Sequence, residues 1–505
     1  MALARTWAVG LDGIVGGLVA VEADLAAGLP GTTVIGMGDA AISQARDRVR
    51  SAVQNSGVRW PDRRITLALS PASLRKSGAG YDVALAVAVL AAAGIVPSAA
   101  VENAVFVGEL GLNGQVRPVP GVLPSLLAAR DAGHDRAFVA ADNLTEAALT
   151  EGVAVLGVRR LDELIGYLRG DDDDLLRPDP TGPPTGQRTP PDLADVVGQP
   201  EARLALEMAA AGGHHLVMIG PPGAGKSMLA HRLPGILPPL DTREALEVTA
   251  LYSVAGRLPQ DVPLVSTPPF VDPHHTASAV AVVGGGSGTI RPGSVSLAHR
   301  GVLFLDEAPE FERRVLDSLR QPMENGSVLI ARSAHVVRYP ARFQLVLAAN
   351  PCPCAAARDI DCSCPGLARR NYLARLSGPL LDRVDIRVDL PPLDPATLLS
   401  ADRGEASAPV AHRVRVARER AGRRWAGTTW RCSAEVPGPV VRRCWRPDRA
   451  EEDLLERAVR TGRLTGRGYD RVLRLALTAA DLAGRTTPSV EDVVLALALR
   501  SGEAL

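Results

Sequence analysis

Apolar and polar positions change rhythm twice along the chain. Through residues 1–170, strand-like runs ("TTVIGM", "RITLALS", "AVFVGEL", "RAFVA") alternate with helical stretches, which predicts a mixed α/β domain. The longest apolar run, "VALAVAVLAAAGIV" at 83–96, directly follows Asp82 and falls short of the ~20 residues that cross a bilayer, so it predicts a buried helix. An apolar αβ pattern fills 193–392. From 412 to 505, apolar residues recur at helical spacing in "EDLLERAVRTGRL", "RVLRLALTAADLAG" and "VEDVVLALALR", which predicts a helical bundle. Two stretches carry neither rhythm: 171–192, an acid run followed by Pro, Gly and Thr, and 393–411. Both read as linkers. Three domains result, as the 505-residue length allows.

Charge refines this picture. The 56 basic and 56 acidic residues cancel, so net charge exerts no general pull on nucleic acid. Yet 17 arginines face 8 acids between His412 and Arg474. Lysine stands at only two positions, Lys76 and Lys226, and each is expected to need a compact ammonium rather than a planar fork. The first apolar stretch contains Asp12 and Glu22 and lacks a basic leader, so no secretory signal is expected. The expected location is cytoplasmic, where six cysteines are thiols or metal ligands rather than disulfides.

The sharpest chemical signal is "HHLVMIGPPGAGKSMLAHRL" at 214–233. An apolar strand runs into Gly220, Pro221, Pro222, Gly223, Ala224, Gly225, Lys226 and Ser227, and then into a helical pattern, the context a phosphate loop requires. Backbone N–H groups and a helix N-terminus would cradle the phosphates of ATP, Lys226 would reach the terminal ones, and Ser227 would ligate Mg²⁺. About eighty residues on, "GVLFLDEAPEF" ends a strand in Asp306, a second Mg²⁺ ligand through water, and Glu307, which would polarise the attacking water. The strand "FQLVLAAN" ends in Asn350, placed to orient that water. In "LSGPLLDRVDI", Arg383 sits where a loop could present it to a neighbouring subunit, against the plainer reading of a surface Arg paired with Asp382 or Asp385.

Taken in order, "VVGQPEA", "GPPGAGKS", "VLFLDE", "LAAN" and "GPLLDRVD" resemble the AAA+ ATPases. The segments "DPHHTASAVAVVGGGSGTIRPGSVSLAHRG" and "VLIARSAHVVRYPARFQLVLAANPCPC" resemble the Mg-chelatase-like branch, specifically the ComM/YifB family. The resemblance implies an α/β fold: a P-loop domain with an N-terminal domain like the Lon protease domain and ribosomal protein S5, and a C-terminal helical lid. It places Arg467, or Arg471 one turn on, at the sensor-2 position. It further implies a homo-hexameric ring with nucleotide between subunits, Arg383 acting in trans, and single-stranded or branched DNA as partner. The activity implied is branch migration in recombination and natural transformation.

Two other activities compete. Magnesium insertion into a porphyrin is the wider family's work, and the N-terminal domain of 170 residues counts against it. Proteolysis would need a serine and a lysine in one constellation. Here Lys76 and Ser77 are adjacent, so a strand would point them to opposite faces, and Gly78, Ala79 and Gly80 occupy the region where the serine is expected. Lys76 is left as a structural or DNA-contacting ammonium.

Two segments remain. "NPCPCAAARDIDCSCPG" holds Cys352, Cys354, Cys362 and Cys364, which could bind Zn²⁺ tetrahedrally. Chelation by CxC pairs is strained, and free thiols in a surface loop are the alternative. "PHHTASAVAVVGGGSGTIRP" lacks the Gly-Lys-Ser/Thr ending of a phosphate loop, and adjacent His274 and His275 cannot both face one ion on a regular element. The resemblance makes it a helix-2 insert projecting into the ring channel. Gly284, Gly285 and Gly286 would form a flexible tip against DNA phosphates, Arg291 would supply a cation, and the two histidines would stack or hydrogen-bond at the base. A surface hairpin without a role is the alternative.

Overall fold

The computed structural model describes every residue except 1, 37–39, 75, 77, 172–174, 180–189, 260–263, 287–289, 333–334, 357–360, 394–403 and 504–505. Seven strands build the N-terminal sheet, in the order Gly31–Ile35, Arg64–Ser70, Val15–Ala26, Ala2–Asp12, Ala104–Val107, Arg136–Ala140 and Ala154–Val158. Ala2–Asp12 and Val15–Ala26 form a long antiparallel hairpin. Ala4, Thr6 and Ala8 on one strand and Val19, Val21, Ala23 and Leu25 on the other are buried, every second residue, as a half-buried sheet requires. The apolar run predicted to be a buried helix is one: Asp82–Ala92 is buried along its whole length and packs on this hairpin. Lys76 is fully buried and donates to the Pro71 carbonyl, so of its two readings the DNA contact is corrected and the structural one stands.

The central sheet is entirely parallel, ordered Phe270–Val271, Val302–Leu305, Gln344–Ala349, Leu216–Ile219, Ile386–Asp389. Its strands are near-continuous apolar runs because both faces are covered. Leu216, Met218, Phe304, Val346 and Ile386 face one core; Val217, Leu303, Leu305, Leu345 and Leu347 face the other.

The C-terminal helices Ser407–Arg424, Arg449–Arg460, Gly466–Ala483 and Val490–Ser501 share the first of these cores. Ser407–Arg424 begins inside the stretch read as a linker. Its only deeply buried positions, Val410, Val414, Ala417 and Ala421, are a narrow stripe in an arginine-rich helix, so the apolar rhythm is faint. The local arginine excess goes largely into structure. Arg413 bridges Glu207 at 2.7 Å and Glu405 at 2.6 Å, Arg418 donates to the Ala210 carbonyl at 2.9 Å, and Arg424 forks onto Asp481 at 2.6 Å.

The N-terminal domain docks on the central one at two points. Gly121 N–H donates to Ser253 Oγ at 2.9 Å, Ser253 Oγ donates to the buried Glu146, and Leu123 N–H donates to the same carboxylate at 2.7 Å. Burial pushes the Glu146 carboxyl above its ordinary range, against the pull of these two donors. The hairpin turn at Gly13 presses on Val337–Tyr339; it has φ +65°, and an added Cβ would lie 2.8 Å from the Arg338 carbonyl oxygen. Only glycine fits there.

Candidate nucleotide site and the opposite sheet edge

Because the strands are parallel, their C-terminal ends share one edge, and the strongest sequence signals converge there. Leu216–Ile219 leads through residues 220–225 into the helix Lys226–Ile236. Gly223 and Gly225 have φ of +79° and +95°, which side chains resist. Lys226 Nζ donates to the carbonyls of Gly220 at 2.7 Å and Pro221 at 2.9 Å, and to Asn350 Oδ1 at 3.0 Å. Burial pushes its ammonium pKa down, partly offset by Asp306 and Glu307. The cation is thus held inside its own loop by neutral oxygens that phosphate oxygens can replace.

Ser227 Oγ donates to Asp306 Oδ2 at 2.7 Å, an adjoining pair of hard oxygen ligands of the kind Mg²⁺ takes. Pro222 and Gly223 are exposed and Ala224 is buried at the turn. Glu307 follows with left-handed φ +49°, its N–H bonded to Asp306 Oδ1 at 2.9 Å. That conformation is sparsely populated for a non-glycine residue and clusters at functional sites. Gln199 was not singled out from sequence. It is buried and donates to the carbonyls of Ala224 at 3.2 Å and Pro391 at 2.8 Å, pinning the loop to the chain beyond the last strand. Its signal was the quoted "VVGQPEA".

Arg383 lies elsewhere. It precedes Ile386–Asp389, which pairs in parallel with Leu216–Ile219, so it sits at the N-terminal edge, a strand length of about 13 Å from the phosphate loop. There it donates to the Pro379 carbonyl at 2.6 Å and pairs with Glu324. The plainer sequence reading, pairing with Asp382 or Asp385, is therefore replaced by other partners. Arg467 pairs with Asp382 at 3.2 Å and Arg471 with Asp385. Acids just before the last strand hold both candidates for the sensor-2 position at this far edge. Asp385 is fully buried. Burial alone would raise its pKa, but Arg471, His214 and His215 outweigh it and hold the carboxyl well below the usual range. Burial pushes His215 down to about 4. Arg383, Arg467 and Arg471 line one cleft of about 940 Å³ with Arg300 and Arg342.

The glycine-rich segment differs from its expected form. Gly284–Gly285 pairs with Arg291–Pro292, and a Cβ on Gly284 would lie 2.7 Å from Ile330 Cδ1 and 2.8 Å from the Arg291 carbonyl oxygen. Gly284 and Gly285 therefore form the packed base of a hairpin rather than its flexible tip. Gly286 adjoins that base with φ +151°, and residues 287–289 lie outside the described residues. Val282 and Ile290 are buried, and Arg291 is exposed. The His274 and His275 rings stand 4.1 Å apart, and His275 Nδ1 lies 3.3 Å from Glu307 Oε2. The insert's base therefore touches the acid expected to activate water.

A second hairpin, Ser327–Arg332 with His335–Pro340, stands beside it, joined by Tyr339 Oη donating to the Ile290 carbonyl at 2.8 Å. Val328, Ile330, Val337 and Tyr339 are buried while Leu329, Val336 and Arg338 are exposed. The period-two alternation in "SVLIARSAHVVRYP" carried this signal, and the sequence reading did not use it. The Sγ atoms of Cys352, Cys354, Cys362 and Cys364 all lie within 4.8 Å of one another, whereas Cys432 and Cys444 are free thiols apart from the cluster.

Comparison with known proteins covers all three domains. The family model for the magnesium chelatase subunit ChlI matches residues 192–398; related models described as subunit ChlI of Mg-chelatase and the ChlI C-terminal region match 21–143 and 404–500. The magnesium-chelatase 38 kDa subunit of Rhodobacter capsulatus is 28% identical over only 35% of this chain. A Mycobacterium tuberculosis protein is 53% identical over 500 residues, 99% of each chain. YifB of Escherichia coli is 41% identical over 92% of this chain and 90% of its own. The competence protein ComM of Haemophilus influenzae is 38% identical over 96% of this chain and 94% of its own. No described helix is long and apolar enough to cross a membrane.

Proposed function

The chain belongs to the Mg-chelatase-like AAA+ family that includes ComM and YifB, and from that premise we propose that it is a ring-forming, ATP-driven DNA motor, a branch-migration helicase working in the cytoplasm in recombination or natural transformation. The family implies use of ATP and Mg²⁺, and the residues fit both. Bound Mg²⁺ would neutralise charge on the terminal phosphates. Ser227 and Asp306 would hold it, Lys226 would exchange its carbonyl partners for phosphate oxygens, and Glu307 would draw a proton from the attacking water. Asn350, bonded to Lys226 at 3.0 Å, would be freed by that exchange to orient the attacking water.

Hydrolysis also calls for a cation opposite Glu307. Arg383, Arg467 and Arg471 stand a strand length away at the other edge, which supports a neighbour's edge completing each site, as in a closed hexameric ring.

The observation that carries the DNA reading is the His275–Glu307 contact, because it ties the catalytic acid to the insert. Arg291 and Arg338, exposed on adjoining hairpins, supply cations for a phosphate backbone. Movement of the insert on DNA would release Glu307 from His275. The test is ATP turnover with and without single-stranded and branched DNA. Strong stimulation is expected, lost in Arg291→Ala/Arg338→Ala with basal turnover kept and the salt dependence of binding shallower. Stimulation that survives both changes sinks the assignment of the hairpins. A magnesium-chelatase-type motor is the second reading, favoured by the descriptions of the matching family models; turnover indifferent to every DNA would support it instead.

A further inference from the structure

We infer that Cys352, Cys354, Cys362 and Cys364 form a closed structural zinc site that braces the chain between Asn350 and Arg383. Three of the sulfur separations are 3.3 Å (Cys352–Cys354), 3.5 Å (Cys354–Cys362) and 3.4 Å (Cys362–Cys352). All exceed the ~2.05 Å of a disulfide, so none of these pairs is bonded. They come close to the edges of about 3.8 Å expected when four sulfurs surround one ion at ~2.3 Å.

Thiols gain little from one another, since S–H is a weak donor and sulfur a weak acceptor, and four thiolates would repel. A shared cation is what makes such a convergence favourable. Four sulfur ligands select a soft metal over Mg²⁺ or Ca²⁺, and they fill a tetrahedral zinc shell completely, which marks a structural rather than catalytic ion. The CxC strain expected from sequence is relieved locally. Ala355 takes a left-handed φ of +51° and its N–H returns to the Cys352 carbonyl at 3.2 Å, a tight turn that brings both sulfurs to one side.

Position gives the site its role. Cys352 is buried two residues after Asn350, whose Oδ1 accepts from Lys226. Cys364 stands two residues before the helix Gly366–Leu373. Beyond that helix, Arg375 donates to the Pro309 carbonyl at 3.1 Å, and the chain continues to Arg383. One ion would therefore tie the chain just after Asn350 to the segment that enters the helix Gly366–Leu373, bracing the first part of the connection between the two sheet edges. This bracing role rests on the ATPase reading; the metal content does not.

The experiment is metal analysis of the full chain, purified without chelator from zinc-supplemented culture. One zinc per chain is expected, released from the wild type by a thiol-blocking mercurial and so independent of how any variant folds. Cobalt in its place should show the intense visible absorption of a tetrahedral thiolate site. Cys354→Ser and Cys364→Ser should lose the metal, while Cys432→Ser and Cys444→Ser keep it. Trace zinc only, or stoichiometric iron, would overturn the site. A folded Cys354→Ser protein that lacks zinc should bind ATP normally but turn it over several-fold more slowly; unchanged turnover would overturn the bracing role alone.

Discussion

The two edges of the central sheet are built on opposite plans. At the C-terminal edge, Lys226, Ser227, Asp306 and Asn350 come from three strand ends and already contact one another through direct hydrogen bonds. At the N-terminal edge, arginines from the last strand's approach and the helix Gly466–Ala483 are held by acids. The first edge carries the candidate nucleotide site; the second carries the arginines that the proposed ring would set against a neighbour's site. In the proposed ring, an active centre divided in this way would couple hydrolysis to assembly, because an isolated chain would lack part of it.

The comparison can be broken most sharply at Arg383. Arg383→Ala should bind ATP with near-normal affinity and lose turnover by about 10³-fold or more, measured at saturating ATP. Mixed with Lys226→Ala chains, it should recover part of that activity, since some interfaces then pair an intact loop with an intact arginine. Rings proven to be mixed yet inactive would mean the far edge is only structural.

Glu307→Gln should slow hydrolysis by about 10²–10⁴-fold while ATP stays bound, a split that filter binding and turnover can resolve. Full turnover in this variant would remove Glu307 from the mechanism. At the far edge, Asp385→Asn leaves Arg471 buried without its charge partner and should cost about 3 kcal/mol in a denaturant melt. Because the Asp385 carboxyl is held below its ordinary range when folded, its contribution is present above about pH 4 and fades as pH falls further. Wild-type stability should drop across that window and the Asn variant should drop less.

Lys226→Ala should weaken ATP binding by about 10–100-fold, the worth of one or two charge-assisted hydrogen bonds. The mildest change is Arg467→Ala. That side chain is 71% exposed, so stability should move by under about 0.5 kcal/mol, while a few-fold loss of turnover would mark contact with a neighbour's nucleotide.

Residues 220–227 were legible in the sequence because their chemistry is local: a strand, a loop of glycines and a helix N-terminus are consecutive, and the lysine that completes them is one of only two in the chain. Asp306 and Asn350 were legible for a related reason, since parallel strands that end in polar residues must end at one edge. The buried helix at 82–92 announced itself by being apolar on every side. The sequence does not place Gly284 and Gly285 at a hairpin base because a glycine's freedom looks the same whether it serves mobility or a close approach; the neighbouring Ile330 at Gly284 and the pairing of Gly285 with Arg291 decide which.

The sequence alone therefore pointed to the kind of chemistry, the αβ core and its helical companion, because those depend on residue types at short spacing. It left open which side chains meet across long separations: His275 with Glu307, Gln199 with the phosphate loop, Arg467 and Arg471 with acids about 85 residues earlier, and four sulfurs around one point. Those meetings follow from how sheet, hairpins and helices pack, and packing depends on every surface at once rather than on any one stretch of chain.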